Sequence, residues 1–206
     1  MSDGAPRTNT RSPRAPRALG DEAKADRRAM ILSHATDMLS DRRISHLTMA
    51  DLAARCNLAK GSLYIYFPSK DHLLSALLTE ALDQWKTDII KQLQPELNAA
   101  DCGRVLSNSA LEHPTLLALC EWAGGRQWQS GDAASDDDMP LHAMANYLGL
   151  HMTILLGIGA RPARRLGYGV MAAMIGAQCL SGGDKAAFGR VFTPAVAQMI
   201  RGLQPG

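Results

Sequence analysis

The sequence predicts an all-α fold of about nine helices: a compact helical unit at the N-terminus, then a larger helical body. Three observations lead there. Apolar residues recur at helical spacing through most of the chain, and no stretch alternates apolar and polar residues as a half-buried strand does. Proline, glycine and capping residues fall at helix-length intervals. With 206 residues and 46% hydrophobic content, the chain can bury a sizeable core in one domain or two small ones.

The opening stretch, MSDGAPRTNTRSPRAPRALG, holds four arginines, three prolines and almost nothing apolar. Such a composition cannot bury enough surface to order itself, so residues 1–20 are expected to be a disordered basic arm. It also lacks the apolar run of a secretion signal. A first helix is expected from Asp21, as its N-cap, to about Leu39, with Ile31, Ala35, Met38 and Leu39 on one stripe. Thr48 then stands before MADLAARC with Asp51 in its first turn, a hydroxyl cap beside a carboxylate at the helix's positive end. Asn57 follows, a residue that tolerates the left-handed conformation of a turn. A short third helix starts near Lys60 and stops at Pro68. Ser69 caps a fourth, running to about Gln94 with Leu74, Leu77, Leu78, Ala81 and Trp85 on one stripe.

Past Pro95, helices are expected near 96–109, 112–129, 139–157, 161–180 and 185–203. Pro140 and Pro162 suit first turns, and Gly159 and the pair Gly182-Gly183 mark ends. Pro194 falls inside the last helix and should kink or split it. The segment GDAASDDD (131–138) reads as an exposed loop. The expected division is an arm over 1–20, a helical head over 21–68 and a helical body over 69–206.

Charge narrows the partners a little. Residues 1–94 carry 14 Lys/Arg against 11 Asp/Glu, a net of +3, whereas residues 95–206 carry 8 against 9, a net of −1. This mild asymmetry points to a polyanionic partner for the N-terminal half. Cys56, Cys102, Cys120 and Cys179 are scattered, with no CxxC and no histidine at metal-ligand spacing. No structural metal or cofactor is therefore expected, and reduced thiols in the cytoplasm are the default. The apolar stretch YLGLHMTILLGIGA (147–160) is too short to span a bilayer, so no membrane partner is expected. A nucleophile elbow, paired carboxylates, a phosphate loop and a metal-ligand set are all lacking, which argues against an enzyme.

The chemistry concentrates in LAKGSLYIYFPSK (58–70). On a wheel of about 100° per residue, Leu63 and Phe67 share the face that must be buried. Gly61, Ser62 and Ile65 lie opposite, and Tyr64 and Tyr66 fall on the two flanks, each roughly 80° from the midline of the buried stripe. Both tyrosines are thus expected to be lateral arms. That arrangement suits a major groove about 12 Å wide, which admits one helix between two phosphate walls. The phenol hydroxyls can donate to phosphate, Gly61 lets the backbone approach base edges, Ser62 can read either base type, and Lys60 can reach a guanine edge or a phosphate. Lys70 stands at the start of the next helix, where amides also favour an anion. Thr48 can present its hydroxyl to a phosphate. Two helices joined by a turn of about three residues form a helix-turn-helix whose second member reads the duplex. A YxYF string can also be a helix end packing its rings on neighbours. The Thr48 cap, the short turn, Lys60-Gly61-Ser62 and Ser69-Lys70 together argue against that.

The segment LTMADLAARCNLAKGSLYIYFPSKDHLL (47–74) resembles the TetR family of bacterial transcriptional regulators in motif and spacing, and the resemblance extends over roughly residues 25–85. It implies a three-helix DNA-binding head followed by six or so helices that bind a small effector and form a homodimer. By position it places Lys60, Gly61, Ser62, Tyr64 and Tyr66 on the recognition helix. Thr48 and Lys70 would be backbone anchors, and Leu52, Ala53, Leu63 and Phe67 the core of the head. Three positions depart from the family pattern: Arg43 and Asn57 stand where glycine is usual, and Ala59 replaces the Ser/Thr cap of the recognition helix.

In the body, Gly169, Ala173, Gly176 and Ala177 share one face of the 161–180 helix, and the last helix offers Phe188, Val191, Phe192 and Met199. These two helices are expected to pair with their copies in a homodimer, the alternative being ordinary intrachain packing. Two heads so joined match a palindromic double-stranded operator. Cys120, Trp122, Trp128, Met144, Tyr147, His151 and Met152 could line a largely apolar effector pocket, or could simply be core. The function expected is a repressor released by a small-molecule effector. The rivals are an effector-independent chromosomal protein, a thiol-based sensor and a helical enzyme. The arginine arm either neutralises phosphates or is merely solvated.

Overall fold

The computed structural model describes residues 16–40, 44–127 and 140–203, and among these no residue is in a strand. The helices are α1 (Pro16–Ser40), α2 (Met49–Arg55), α3 (Lys60–Tyr66), α4 (Lys70–Gln92), α5 (Ala99–Leu111), α6 (Pro114–Gln127), α7 (Pro140–Leu156), α8 (Ala160–Ser181) and α9 (Lys185–Arg201), with a single 3-10 turn at Ile44–His46. Residues 1–15 of the expected arm, Arg43, Trp128 and the 131–138 loop lie outside the described residues.

Most boundaries follow from local chemistry. The Asp51 amide donates to Thr48 Oγ1 at 3.1 Å, and the His72 amide to Ser69 Oγ at 3.2 Å. Asn98 caps α5 through two amides at 3.0 Å, and Asp184 caps α9 through Ala186 N at 2.8 Å and Ala187 N at 3.3 Å. Each satisfies amides that a helix start leaves orphaned. Asn57 adopts φ 53° between α2 and α3, and Gly182 with φ 56° closes α8.

Two expectations are corrected. First, α1 opens at Pro16, so Asp21 lies within the helix and does not cap it, and residues 16–20 are helical and not disordered. Proline's fixed φ suits a first helical position, and nothing between it and Asp21 breaks a helix. Second, Pro194 does not split the last helix, since α9 is continuous from Lys185 to Arg201. Arg190, whose carbonyl loses its N–H partner, is exposed, as is Pro194, so that carbonyl lies on a wet face.

One hydrophobic cluster runs from Ile31 in α1 to Ile200 in α9. Its head portion is Ile31, Leu32, Ala35, Leu47, Leu52, Ala53, Leu63 and Phe67. The long helix α4 belongs to both parts, burying Leu73, Leu74 and Leu77 near its start and Leu82, Trp85 and Ile89 further on. In the body, α7 and α8 approach at small residues. A Cβ on Gly167 would collide with the Ala145 carbonyl oxygen and lie 2.8 Å from Gly149 N, and one on Gly149 would sit 2.9 Å from the Ala163 carbonyl oxygen. α5 meets α9 in the same way, since a Cβ on Gly103 would lie 2.6 Å from the Thr193 carbonyl oxygen.

These contacts correct part of the expected dimer face. Phe188 and Phe192 are 1% and 0% exposed, with ring centroids 5.2 Å apart, and Ala177 is 1% exposed. All three are core of the single subunit. Gly169 faces Met199 of its own chain, whose Sδ would lie 2.7 Å from an added Cβ. Gly176 has nothing within 4 Å of such a Cβ, Val191 is exposed, and Ala173 is half-buried. Helical spacing correctly grouped the residues of α9 but could not say which neighbour their shared face meets.

Candidate nucleic-acid interface

A seven-residue helix is too short to persist alone, so α3 depends on packing. Leu63 and Phe67 are fully buried against Leu52 and Ala53 of the head core, and the Arg28 guanidinium lies 5.1 Å from the centroid of the Phe67 ring. The turn from α2 is closed by backbone bonds, Asn57 N to the Ala54 carbonyl at 3.1 Å and Leu58 N to the Ala53 carbonyl at 2.8 Å. Ala59 makes no side-chain cap bond. α3 is therefore held along its back and by its entry turn, with its start left open.

The outward face carries Lys60, Gly61, Tyr64 and Ile65, all exposed, Ile65 to 69%. A Cβ on Gly61 would meet nothing within 4 Å, so no packing contact among the described residues explains the missing side chain. Ser62 is half-buried. The tyrosines are not equivalent as expected: Tyr64 is 39% exposed, whereas Tyr66 is half-buried and packs on the core, which covers its flank of the helix. Ile65 was placed on the far side by the wheel but given no role. A large apolar side chain exposed at the centre of a polar face is itself the signal, since it can meet a thymine methyl.

The two anchors are already engaged. Thr48 Oγ1 donates to Asp51 Oδ2 at 2.7 Å while accepting from the Asp51 amide, which commits its proton. Lys70 Nζ donates to the Ile44 carbonyl at 2.8 Å, tying the start of α4 to the 3-10 turn. An ammonium has three donors, so two remain for an anion. The Cys56 thiol, at the C-terminal end of α2, is pushed up by burial, which outweighs the opposing field of Arg55, so it stays a neutral thiol.

The expected effector residues separate into two groups. Cys120, Met144 and Met152 are core, and burial drives the Cys120 thiol far above its ordinary range. Trp122 is half-buried against the core on α6. Tyr147 and His151 stack on α7 with ring centroids 6.2 Å apart, and Lys86 Nζ stands 4.6 Å from the Tyr147 centroid. Met144, Tyr147, Lys86 and Leu82 line a cleft of about 100 Å³ between α4 and α7. Burial raises the Tyr147 phenol above its usual value, keeping it neutral. Trp85 Nε1 and His151 Nε2 are buried without a hydrogen-bond partner among the described residues. The described residues hold no group of three or more His, Cys, Asp or Glu able to bind a metal ion, and no helix among them is long and apolar enough to cross a membrane.

Comparison with known proteins agrees with this geometry. Residues 31–77, from mid-α1 into α4, match the family described as bacterial regulatory proteins, tetR family. The chain is 35% identical over 94 residues to the HTH-type transcriptional regulator EthR of Mycobacterium tuberculosis, covering 46% of this chain and 40% of that protein. It is 42% identical over 60 residues to the HTH-type transcriptional repressor KstR of Mycolicibacterium smegmatis, 29% of each chain. The sequence likeness thus spans less than half of these relatives. The fold likeness is wider. A tetR-family transcriptional regulator from Streptomyces coelicolor superposes with TM-score 0.62 at 11% identity, over 88% of this chain and 90% of the other. The TetR family repressor AlkX from Dietzia superposes with TM-score 0.59 at 17% identity, over 85% and 96%. At these identities the likeness establishes a shared all-helical architecture of head and body.

Proposed function

Starting from residues 31–77 as a domain of the tetR family of bacterial regulatory proteins, we propose that this chain is a transcriptional repressor that binds a palindromic duplex operator as a homodimer. The observation that carries the reading is α3 itself. It is clamped along Leu63 and Phe67, its outward face offers Lys60, Tyr64 and Ile65, and it keeps a glycine at position 61 that packing does not require. Placed in a major groove, that glycine lets the backbone approach base edges, Lys60 reaches a guanine or phosphate, and Tyr64 reaches a phosphate wall. The two spare donors of Lys70 add a backbone contact at the rim, and Thr48 holds the start of α2 through Asp51.

The second subunit is proposed to pack on the outward side of α8 and α9, around Gly176, Leu180 and Val191. Two recognition helices then meet half-sites about one turn, roughly 34–36 Å, apart. Release follows from a small molecule bound in the α4–α7 cleft beside Lys86 and Tyr147. Because α4 lines that cleft and also packs the head, a ligand wedged between α4 and α7 shifts the separation of the two heads. The unpartnered Trp85 Nε1 and His151 Nε2 lie on α4 and α7, the two helices that bound the cleft, and leave polar atoms for an effector that enters between them, which favours this reading over an effector-independent chromosomal protein. Such a regulator works in the cytoplasm.

Fluorescence anisotropy of a labelled duplex from the region upstream of the chain's own gene tests the reading. Binding at least about a thousandfold tighter than to random duplex is expected, since specific sites typically exceed non-specific ones by that factor or more. Equal affinity for both duplexes would overturn it.

A further inference from the structure

The first turns of α8 hold a charge cluster that the preceding reading does not use. Arg161, Arg164 and Arg165 fall within five residues and, with Tyr168 one turn on, bound a surface cleft of about 350 Å³. All three arginines are exposed, and Arg161 and Arg165 make no ion pair among the described residues. Arg164 lies over the Tyr168 ring at 5.7 Å, and His142 of α7 packs on the same ring at 5.5 Å, which fixes the platform between the two helices. The arrangement is unfavourable in isolation. Cations at a helix N-terminus oppose the macrodipole, and like charges four residues apart repel. Both penalties vanish when an anion sits among them.

A second feature adjoins the first. Leu150 and Ile154, one turn apart on α7, are 65% and 73% exposed. Gly149 lies against the Arg164 backbone, with an added Cβ at 2.9 Å from its Cα, so Leu150 stands level with the arginine turn. At about 100° per residue, Leu150 lies about 80° and Ile154 about 120° round α7 from His142, so the pair points outward beside the His142–Tyr168 flank. A guanidinium cluster on α8 and an apolar strip on α7 thus stand on neighbouring exposed surfaces at the same level of the α7–α8 pair.

We propose that these two surfaces together bind a single-chain anionic amphiphile, its carboxylate head held by Arg161 and Arg165 and its alkyl chain laid over Leu150 and Ile154. Guanidinium forks match a carboxylate bidentately, and the exposed aliphatic pair gives the chain a surface to leave water on. The site lies apart from the α3 face and from the α4–α7 cleft, so it stands or falls independently of operator binding.

Calorimetric titration of the full chain with decanoate, below its micellar concentration, tests the proposal. One decanoate per chain is expected, with acetate undetectable and decyltrimethylammonium at least about tenfold weaker. Arg161→Gln/Arg165→Gln should weaken decanoate about tenfold or more, with the melting temperature not lowered and the sedimentation coefficient unchanged. Leu150→Ser/Ile154→Ser should weaken it in proportion to chain length, decanoate losing more than hexanoate. Four results would overturn the proposal. They are no decanoate binding, equal binding of the cationic homologue, unchanged affinity in the folded double arginine variant, or loss in Lys86→Gln with normal binding by the arginine variant. The last would move the amphiphile to the α4–α7 cleft. Cosedimentation with anionic vesicles without binding of free decanoate would likewise replace it with docking on a lipid surface.

Discussion

Gly61→Ala is expected to make the protein more stable and a poorer operator binder. The added Cβ would meet no atom within 4 Å, so the free protein has no clash to relieve. Glycine within a helix is destabilising by roughly 0.5–1 kcal/mol relative to alanine. Position 61 is the second residue of a seven-residue helix, so the lower part of that range applies. For a chain of this size, 1 kcal/mol moves Tm by about 2–4 °C, and a rise of about 1–2 °C is expected. In the complex the same methyl would stand where the helix backbone approaches the bases. Forcing a methyl into a close-packed contact typically costs about 1–3 kcal/mol, or roughly 5- to 150-fold in Kd. Thermal denaturation followed by circular dichroism gives the first quantity, and anisotropy on the operator duplex gives the second. A variant with raised Tm and a Kd within about twofold of the parent would show that this face of α3 does not lie against DNA. A lowered Tm would show that the space beside Gly61 is not open.

Lys60→Ala should weaken binding and reduce the slope of log Kd against log salt by about one, the signature of one lost phosphate contact; an unchanged slope would assign Lys60 to a base edge. Gly167→Ala should destabilise by about 1–3 kcal/mol in spite of alanine's helix propensity, read as a fall in urea midpoint, because its methyl meets the backbone of Ala145 and Gly149. Leu180→Asp or Val191→Asp should convert a sedimenting dimer to a monomer with the helical signal intact. At pH 8 an aromatic disulfide reagent should titrate one thiol per folded chain, Cys179, and four after unfolding, because Cys56, Cys102 and Cys120 are buried. Burial raises those three thiols, so the folded chain keeps them neutral while the unfolded chain ionises them. Stability is thus intact below the ordinary thiol value of 9.0 and falls as pH climbs through it, which urea titrations at stepped pH will show.

The head was legible in the sequence because its boundaries are set by local chemistry. Thr48, Ser69 and Pro68 act through their own backbone neighbours, and Asn57 needs only its own φ, so each can be placed without knowing the tertiary structure. The start of α1 was not legible. Proline can end an arm or open a helix, and composition alone does not choose between them. Nor was the difference between Tyr64 and Tyr66. The wheel gives each the same angle from the buried stripe, but the core lies to one side of α3 and covers only Tyr66. Lys70 shows the same limit: its sequence position suggests an anion site, while its bond to the Ile44 carbonyl depends on a turn that lies far back along the chain.

The small residues of α8 show where such reading fails in the body. Gly169, Ala173, Gly176 and Ala177 were grouped as one close-approach face and assigned to a second subunit. The tightest approach is made instead by Ala163 and Gly167, four residues apart on a different stripe of α8, against Ala145 and Gly149, four apart on α7. Both pairs are visible in the sequence at the same spacing, because spacing fixes a face and not the partner that the face meets. What distinguishes them is volume left over. Gly167 has no room for a methyl, so its smallness is used up within the chain, whereas Gly61 and Gly176 have nothing within 4 Å. A glycine in a helix interior is destabilising unless something approaches it, so a helical glycine whose space stays open within the subunit is a candidate for contact with a partner outside it. Under the proposed function, Gly61 and Gly176 are the open glycines on the faces assigned to nucleic acid and to a second copy of the chain, whereas Gly20 of α1 and Gly125 of α6 are equally open and are assigned no partner. Gly61→Ala and Gly176→Ala should therefore both stabilise the isolated monomer while impairing different assemblies: operator binding with dimerisation intact for the first, and the dimer for the second. If Gly176→Ala left the sedimentation coefficient and its concentration dependence unchanged, the assignment would fail for α8.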